Sequence, residues 1–229
     1  MLADCLYIGD TARCVSLIEN GADVHAHNDL PLRLAVERGY ASIVRLLLEH
    51  GADVHARNDD PLIKAVLLCN VDIVRLLLKH GANVHARDDA ALREAIYLKC
   101  DAIVDILLAN GADTRAIEPD ITVLAYTGHA GILRALLKHG NIAHSVKVGD
   151  GNALDVACEF GHLEIIKILL DVGVGINVRS LRCAINSQNA ECVTLLLSYG
   201  ADPTLLTDEE RKELALLIGD GESDVKPVM

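Results

Sequence analysis

GADVHAHND (residues 21–29), GADVHARND (51–59) and GANVHARDD (81–89) are three near-copies of one phrase that recur at intervals of 30 residues. A fourth copy, GADTRAIEP, begins at Gly111. Three weaker repeats keep only the Leu-Leu and the Gly: LLKHG ends at Gly140, LLDVG at Gly173 and LLSYG at Gly200. A fixed period of this length is typical of one small supersecondary unit that is stacked many times. It argues against a globular enzyme built around one central cleft.

The stretch between two copies predicts a pair of short helices. In residues 61–68 (PLIKAVLL) the first helix opens with Pro61, which is favoured in a first turn, and an aspartate before it can cap the helix. Cys69-Asn70 forms the turn, and residues 71–80 (VDIVRLLLKH) give a second helix with a wide apolar face. Gly81 then ends that helix. Because neither helix is long enough to be stable alone, stacking must bury their apolar faces.

Seven such pairs fit the chain, so we predict one all-α solenoid over residues 1–218. The repeat loops fall near Gly21, Gly51, Gly81, Gly111, Gly140, Gly173 and Gly200. A polar capping helix from Asp208 to Ile218 follows Thr207, a suitable N-cap residue. Residues 219–229 are expected to be a flexible tail.

These motifs resemble the ankyrin repeat family. The Gly-Ala-Asp-Val ends, the Ile-Val-x-Leu-Leu-Leu second helices and the Pro-Leu pairs at Pro31 and Pro61 carry the resemblance, and residues 150–170 come closest to the consensus. A family repeat has about 33 residues, whereas the first spacings here are shorter. The missing residues fall where the family has its β-hairpin fingers, so we expect those fingers to be shortened or absent, except near Asp150-Gly151. The family's Thr-Pro-Leu-His box also loses its His, which is replaced by Arg33, Ile63 and Arg93.

The resemblance implies a non-catalytic module that docks another protein on the concave surface of its stacked first helices. The trimmed repeats also resemble, more weakly, those encoded by giant DNA viruses of amoebae. That second resemblance suggests a viral protein acting in the cytoplasm or nucleus of a host cell. The alternative function is an adaptor that recruits a host protein to ubiquitin ligation.

Composition narrows the partner classes. The formal net charge is −12, which disfavours nucleic acid and anionic membrane surfaces as ligands. No apolar run is long enough to span a bilayer, and the N-terminus lacks the pattern of a secretory signal. The cysteine count is seven, without a CxxC pair, and Cys5, Cys14, Cys158, Cys183 and Cys192 fall at apolar helix positions. We therefore expect buried thiols in a reducing compartment, and inert thiols at Cys69 and Cys100.

The sequence lacks the usual catalytic motifs, and its histidines are not spaced to share a metal ion. The sequence contains no GxSxG, HExxH, GxxxxGK[ST] or GxGxxG motif, so we expect no enzyme activity and no cofactor. Histidines recur at His25, His55 and His85, but stacked helical layers lie roughly 8–10 Å apart. Zinc–nitrogen bonds are only about 2 Å long, so equivalent histidines cannot easily share one ion. Loop hydrogen bonding and charge complementarity at helix C-termini are the favoured roles.

The two residues that end each first helix face the concave side in the ankyrin family and are usually polar. Here several are apolar or aromatic, and these make up the predicted partner-binding surface: Leu67, Leu68, Tyr97, Leu98, Tyr126 and Phe160. The alternative is that some turn inward to fill space left by the trimmed loops. We expect a monomer, with self-association through the same residues as the other possibility.

Two further sites follow from the loops. Arg57, Arg87 and Arg115 share or neighbour one loop column and could meet an acidic segment of a partner, or could simply be solvated beside nearby aspartates. His55 and His85 stand where the family consensus carries Asn. Their surroundings resemble substrates of the asparaginyl hydroxylase that modifies ankyrin repeats, which implies hydroxylation of His55 or His85. A purely structural role is the favoured reading.

Overall fold

The computed structural model describes residues 2–114, 121–139 and 152–219, which fall into two compact units, Met1–Glu118 and Pro119–Met229. Over these described ranges there are fifteen α-helices and no strand. Each unit is built of helix pairs, as the repeat period predicts. The all-α fold is therefore confirmed.

The first unit holds four pairs. They are α1 (Leu2–Ile8) with α2 (Thr11–Glu19), α3 (Ala26–Glu37) with α4 (Ala41–Glu49), α5 (Ala56–Leu67) with α6 (Val71–Lys79), and α7 (Ala86–Tyr97) with α8 (Asp101–Ala109). First helices pack on first helices and second helices on second helices: α3 contacts α5, α5 contacts α7, and α4 contacts α6.

The second unit holds three pairs and a cap. They are α9 (Ile121–Thr127) with α10 (Ala130–His139), α11 (Asn152–Glu159) with α12 (Leu163–Val172), and α13 (Val178–Asn186) with α14 (Ala190–Ser198). A short 3-10 helix (Pro203–Leu205) leads to the capping helix α15 (Asp208–Gly219). The long connection predicted near Asp150-Gly151 and the tail from residue 220 onward lie outside the described residues.

Packing of the second helices follows from their apolar periodicity. In α6 the side chains of Ile73, Val74 and Leu77 are fully buried, and Ile43 and Leu47 are their counterparts in α4. Residues three and four apart share one helix face, so each second helix presents a continuous apolar stripe to its neighbours. Burial of these stripes holds short helices that would not be stable in isolation.

In the first unit a left-handed turn takes the place of the β-hairpin finger. Arg57, Asn58 and Asp59, within the first residues of α5, have φ angles of 52°, 61° and 57° and are not helical. Residues 27–29 at the start of α3 and residues 87–89 at the start of α7 repeat this conformation. Left-handed backbone costs a non-glycine residue roughly 1–2 kcal/mol, although Asn and Asp tolerate it better than most. In the first unit, this left-handed turn therefore stands where the family has its β-hairpin fingers.

The left-handed turn delivers a buried aspartate to the next repeat. Oδ1 of Asp29 accepts a hydrogen bond from the backbone N–H of Asp53 at 2.8 Å, and Oδ1 of Asp89 accepts one from Asp113 at 2.9 Å. Both aspartates are almost fully buried. These bonds between repeats replace those of the missing Thr-Pro-Leu-His box. The aspartate of the third repeat, Asp59, makes the same bond and does not cap its own helix.

The prediction of inert thiols at the two turn cysteines is wrong. A disulfide joins Cys69 and Cys100, whose Cα atoms lie 6.3 Å apart. The five remaining cysteines are free, and all are buried except Cys183, which is half-buried. The sequence argument placed these two cysteines at neighbouring turns, but it asked only whether a base or an oxyanion site would activate them. It did not consider that stacking could pair their sulfur atoms.

Candidate functional site

The apolar ends of two first helices lie exposed in the first unit. Leu67 and Leu68 end α5, Tyr97 and Leu98 end α7, and we call these four residues the leucine–tyrosine patch. Tyr97 is 80% exposed and Leu68 is 49% exposed. The side chains therefore do not turn inward to fill space left by the short loops. Whether they bind a partner stays a prediction.

In the second unit, Tyr126 and Phe160 form an aromatic pair. Their ring centroids are 4.6 Å apart at an interplanar angle of 76°, an edge-to-face arrangement, and both residues are exposed. His162 stacks beside Phe160, with centroids 6.5 Å apart. Since a carbonyl oxygen only accepts, His162 Nε2 donates the 3.0 Å hydrogen bond to the Tyr126 backbone oxygen. His162 thus stacks on Phe160 and bonds the end of α9, while both aromatic rings stay exposed to solvent.

Sequence reasoning left Tyr7 and Ile8 out of the predicted surface, although they occupy the same column. Both are among the more exposed large apolar residues, and the guanidinium of Arg38 lies 4.8 Å from the centre of the Tyr7 ring. Such a cation over an aromatic face is a stabilising contact. The signal that could have found them was their place at the end of α1.

The arginines of the loop column are partly engaged within the chain. Arg87 Nη2 donates to the Arg57 backbone oxygen at 2.7 Å and lies 3.4 Å from Asp60 Oδ1. Arg93 donates to the backbone oxygens of Asp88 and Arg87. Arg57 is exposed, and Arg115 lies outside the described residues. Arg87 therefore braces two successive loops, and of the two column members that the structure describes, Arg57 is the more open to a partner.

The histidines proposed as hydroxylation sites are held by the loop aspartates. Nδ1 of His55 lies 3.1 Å from Asp59 Oδ1, and Nδ1 of His85 lies 3.1 Å from Asp89 Oδ1. The backbone N–H of His55 donates to Asp53 at 2.9 Å. Both rings are about half exposed. The favoured structural role accounts for these contacts, and hydroxylation stays a prediction.

Comparison with known proteins agrees with this geometry. The family model described as "Ankyrin repeats (3 copies)" matches residues 2–88, 57–118, 92–180 and 121–208. The chain belongs to the ankyrin repeat family. This membership explains the paired helices in both units, and ankyrin repeats generally mediate protein–protein interactions. The weaker resemblance to repeats of giant amoebal viruses stays a prediction.

Two solved ankyrin domains share the fold. The crystal structure of the human ASB11 ankyrin repeat domain covers 86% of this chain and 99% of its own, with a TM-score of 0.55 and 24% identity. The ankyrin repeat domain of Bcl-3, described as a unique member of the IkappaB protein family, gives 0.57 and 23% identity over 86% of this chain and 97% of its own. Likeness at this level of identity establishes the fold alone.

One curated human relative shares more sequence over a shorter stretch. BCL-6 corepressor-like protein 1 from Homo sapiens is 39% identical over 74 residues, which is 30% of this chain. The matched part is only 4% of the length of that relative. The similarity is therefore to a short segment of a much larger protein.

Two further features concern metal binding and membrane spanning. Within residues 2–114, 121–139 and 152–219, no group of three or more His, Cys, Asp and Glu side chains is placed to hold a metal ion. Nor does any helix in these ranges have the length and hydropathy to cross a membrane. The ankyrin fold is typically a non-enzymatic interaction module.

Proposed function

We propose that this ankyrin protein is a non-catalytic docking module whose partner is another protein, bound at the exposed ends of its first helices. The observation that carries the proposal is the exposure of the leucine–tyrosine patch. Soluble proteins rarely leave adjoining large apolar side chains in water without a use for them. In the ankyrin family this column faces the concave side and is usually polar, so the departure from that pattern is specific to this chain.

The chemistry of the residues favours a protein ligand. Tyr97 is an amphipathic side chain of the kind enriched at interface hot spots, and the neighbouring leucines supply area that excludes water around it. The Tyr126–Phe160 pair offers the same combination in the second unit. A net charge of −12 disfavours nucleic acid. We expect the partner to bring apolar side chains flanked by basic groups.

The test is affinity capture from host-cell lysate with four matched proteins. These are the wild type, Leu67→Ala with Tyr97→Ala, Tyr126→Ala with Phe160→Ala, and a control, Leu205→Ala with Leu216→Ala. The control removes apolar surface that is equally exposed but lies near the C-terminal cap. Circular dichroism first establishes that all four are folded.

A partner should be captured by the wild type and the control and lost by the leucine–tyrosine variant. With the purified partner, that variant should raise Kd by about 30-fold or more, since a hot spot is worth roughly 2 kcal/mol. Equal recovery by all four proteins contradicts the proposal. Sedimentation of the isolated protein tests self-association, which would appear as a dimer that the same substitutions dissolve.

An adaptor needs a second binding surface in addition to the docking surface. The control variant, Leu205→Ala with Leu216→Ala, tests one such surface near the C-terminal cap. Leu216 on α15 is 76% exposed, and Leu205 in the preceding 3-10 helix is also exposed. An adaptor for ubiquitin ligation predicts that a ligase component is lost from the control variant while the docked protein is retained. Simple docking predicts no such separation.

A further inference from the structure

We infer that Cys69 and Cys100 form a reversible thiol–disulfide pair that locks two successive repeats together when it is oxidised. The disulfide links Cys69, in the turn between α5 and α6, to Cys100, the N-cap residue of α8, at a sequence separation of 31 residues. The inference does not depend on the docking proposal. It concerns a modification site that can be tested on the isolated protein.

The geometry that brings the two cysteines together recurs along the first unit. The residue at the tip of one turn faces the residue that opens the second helix of the next repeat. A Cβ added to Gly9 would lie 2.9 Å from Tyr40 Oη, and one added to Gly39 would lie 3.6 Å from Asn70 Nδ2. Cys69 and Cys100 are the next pair in this series. Stacking of the repeats therefore juxtaposes the two sulfur atoms without any rearrangement.

Each cysteine occupies a position where the neighbouring repeat has a residue better suited to the backbone. Cys69 has a φ angle of 48°, where the preceding repeat has Gly39 at 74°. Cys100 makes no side-chain cap bond to α8, whereas Asn70 accepts a hydrogen bond from the Ile73 N–H at 3.1 Å. The pair gives up a glycine turn and an N-cap, each of which commonly contributes about 1 kcal/mol or less to stability.

Access separates this pair from the other cysteines. Cys69 is exposed and Cys100 is half-buried, so a small thiol can reach the linkage. By contrast, burial raises the pKa of Cys14 to about 12 and that of Cys192 to about 11, which suppresses their thiolate forms. A Cα separation of 6.3 Å lies inside the range of roughly 4.4–6.8 Å usual for disulfides.

The chemistry balances with a small-molecule disulfide such as oxidised glutathione as the oxidant. The exposed Cys69 thiolate attacks one glutathione sulfur, which forms a mixed disulfide and expels one glutathione thiolate. The Cys100 thiolate then attacks the Cys69 sulfur and expels the second glutathione thiolate. The two protons lost by the cysteines end on the two glutathione molecules, and an excess of reduced glutathione reverses both steps. Exposed disulfides are the more easily reduced class.

The experiment equilibrates the full-length protein in buffers of varied reduced and oxidised glutathione, then blocks free thiols and maps the linkage by mass spectrometry. Oxidised wild type should lose two of its seven thiols, with Cys69 and Cys100 in one linked peptide pair. Thermal unfolding should shift upward by roughly 5–10 °C on oxidation. Both changes should reverse in an excess of reduced glutathione.

Three variants keep the result interpretable. Cys69→Gly restores the glycine that Gly9, Gly39 and Gly161 provide at the corresponding turns, so it should fold and, when compared reduced, match or exceed the wild-type melting temperature without responding to oxidation. Cys100→Ser should also lose the response, while Cys183→Ser, at a half-buried cysteine elsewhere, should keep it. The inference is overturned if seven thiols stay free in oxidised glutathione, if the linkage maps to another pair, or if it survives a large excess of reduced glutathione.

Discussion

Oδ1 of Asp59 accepts a hydrogen bond of 2.7 Å from the backbone N–H of Asn83 in the next repeat, while His55 Nδ1 lies 3.1 Å from the same oxygen. One buried carboxylate thus joins its own loop to the following one. With the equivalent bonds from Asp29 and Asp89, it forms a ladder through the first unit. A fixed spacing of 24 residues separates donor and acceptor at every rung.

Removal of one rung should destabilise the first unit. Asp59→Ala leaves the Asn83 N–H without its acceptor and places alanine in a left-handed conformation, which together cost about 2–4 kcal/mol. Asp59→Asn keeps an oxygen acceptor and tolerates that backbone, so it should cost less than about 1 kcal/mol. Urea unfolding followed by circular dichroism measures both. Equal losses for the two variants would mean that the hydrogen bond contributes little.

The cap before α15 gives a second prediction, with a defined pH dependence. Thr207 N–H donates to Glu210 Oε2 at 2.8 Å, and Glu210 N–H donates to Thr207 Oγ1 at 3.3 Å. The Thr207 backbone bond is the main cause that lowers the pKa of Glu210 below its usual 4.5. Thr207→Ala should cost about 1 kcal/mol, and the loss should concentrate in α15.

The fold favours the ionised form of Glu210, because its pKa is lowered in the folded state. The contribution of Glu210 to the free energy of unfolding is therefore complete above the ordinary pKa and is lost as the pH falls below it. The stability difference between wild type and Glu210→Gln should therefore keep its full value from about pH 7 to about pH 5 and shrink as the pH falls toward about pH 3. Arg182 Nε, 2.7 Å from Glu210 Oε1, should add to the difference at neutral pH. A difference that stays constant with pH contradicts the assignment.

The close approach at Gly161 gives a third prediction. Gly161 has a φ angle of 70°, and a Cβ there would lie 2.7 Å from Asn189 Nδ2. Asn189 accepts a hydrogen bond from the Cys192 N–H at 3.0 Å, so displacing it loses the cap of α14. Gly161→Ala should cost about 1 kcal/mol more than Gly200→Ala, which has positive φ but open space around it. Comparable melting temperatures for the two variants would show that Asn189 moves aside without loss.

The sequence predicts the helix pairs because both the period and the apolar spacing are local features. The predicted end of the second helix near His80 lies one residue beyond the observed end of α6 at Lys79. The Asp59 ladder was missed because its donor lies in another repeat, although the recurrence of Asp29, Asp59 and Asp89 was visible. The Cys69–Cys100 link was missed although the two cysteines were expected at neighbouring turns, because the sequence alone does not give the distance between them. Contacts between repeats follow from stacking register, which a single repeat does not encode.

For the predicted partner-binding surface, exposure follows from position in the repeat, whereas side-chain contacts do not. Its exposure at Tyr97 and Phe160 follows from helix position, and the sequence predicts it correctly. The geometry of the Tyr126–Phe160 ring pair, and the bond from His162 to the Tyr126 backbone oxygen, depend on side-chain orientation. For the arginine column, the bond from Arg87 to the Arg57 carbonyl is a contact that the sequence does not predict, and binding of a partner stays a prediction. Position along the repeat thus predicts exposure, while engagement requires the packed structure.

The most direct measurement is site-specific photocrosslinking in cell lysate. A benzophenone-bearing amino acid replaces Tyr97 in one protein and Arg75, an exposed residue of α6, in a matched control. Docking on the leucine–tyrosine patch predicts a light-dependent adduct with one protein at position 97, competed by excess unlabelled wild type, and none at position 75. An adduct from position 75 alone, or equal adducts from both, would contradict the account.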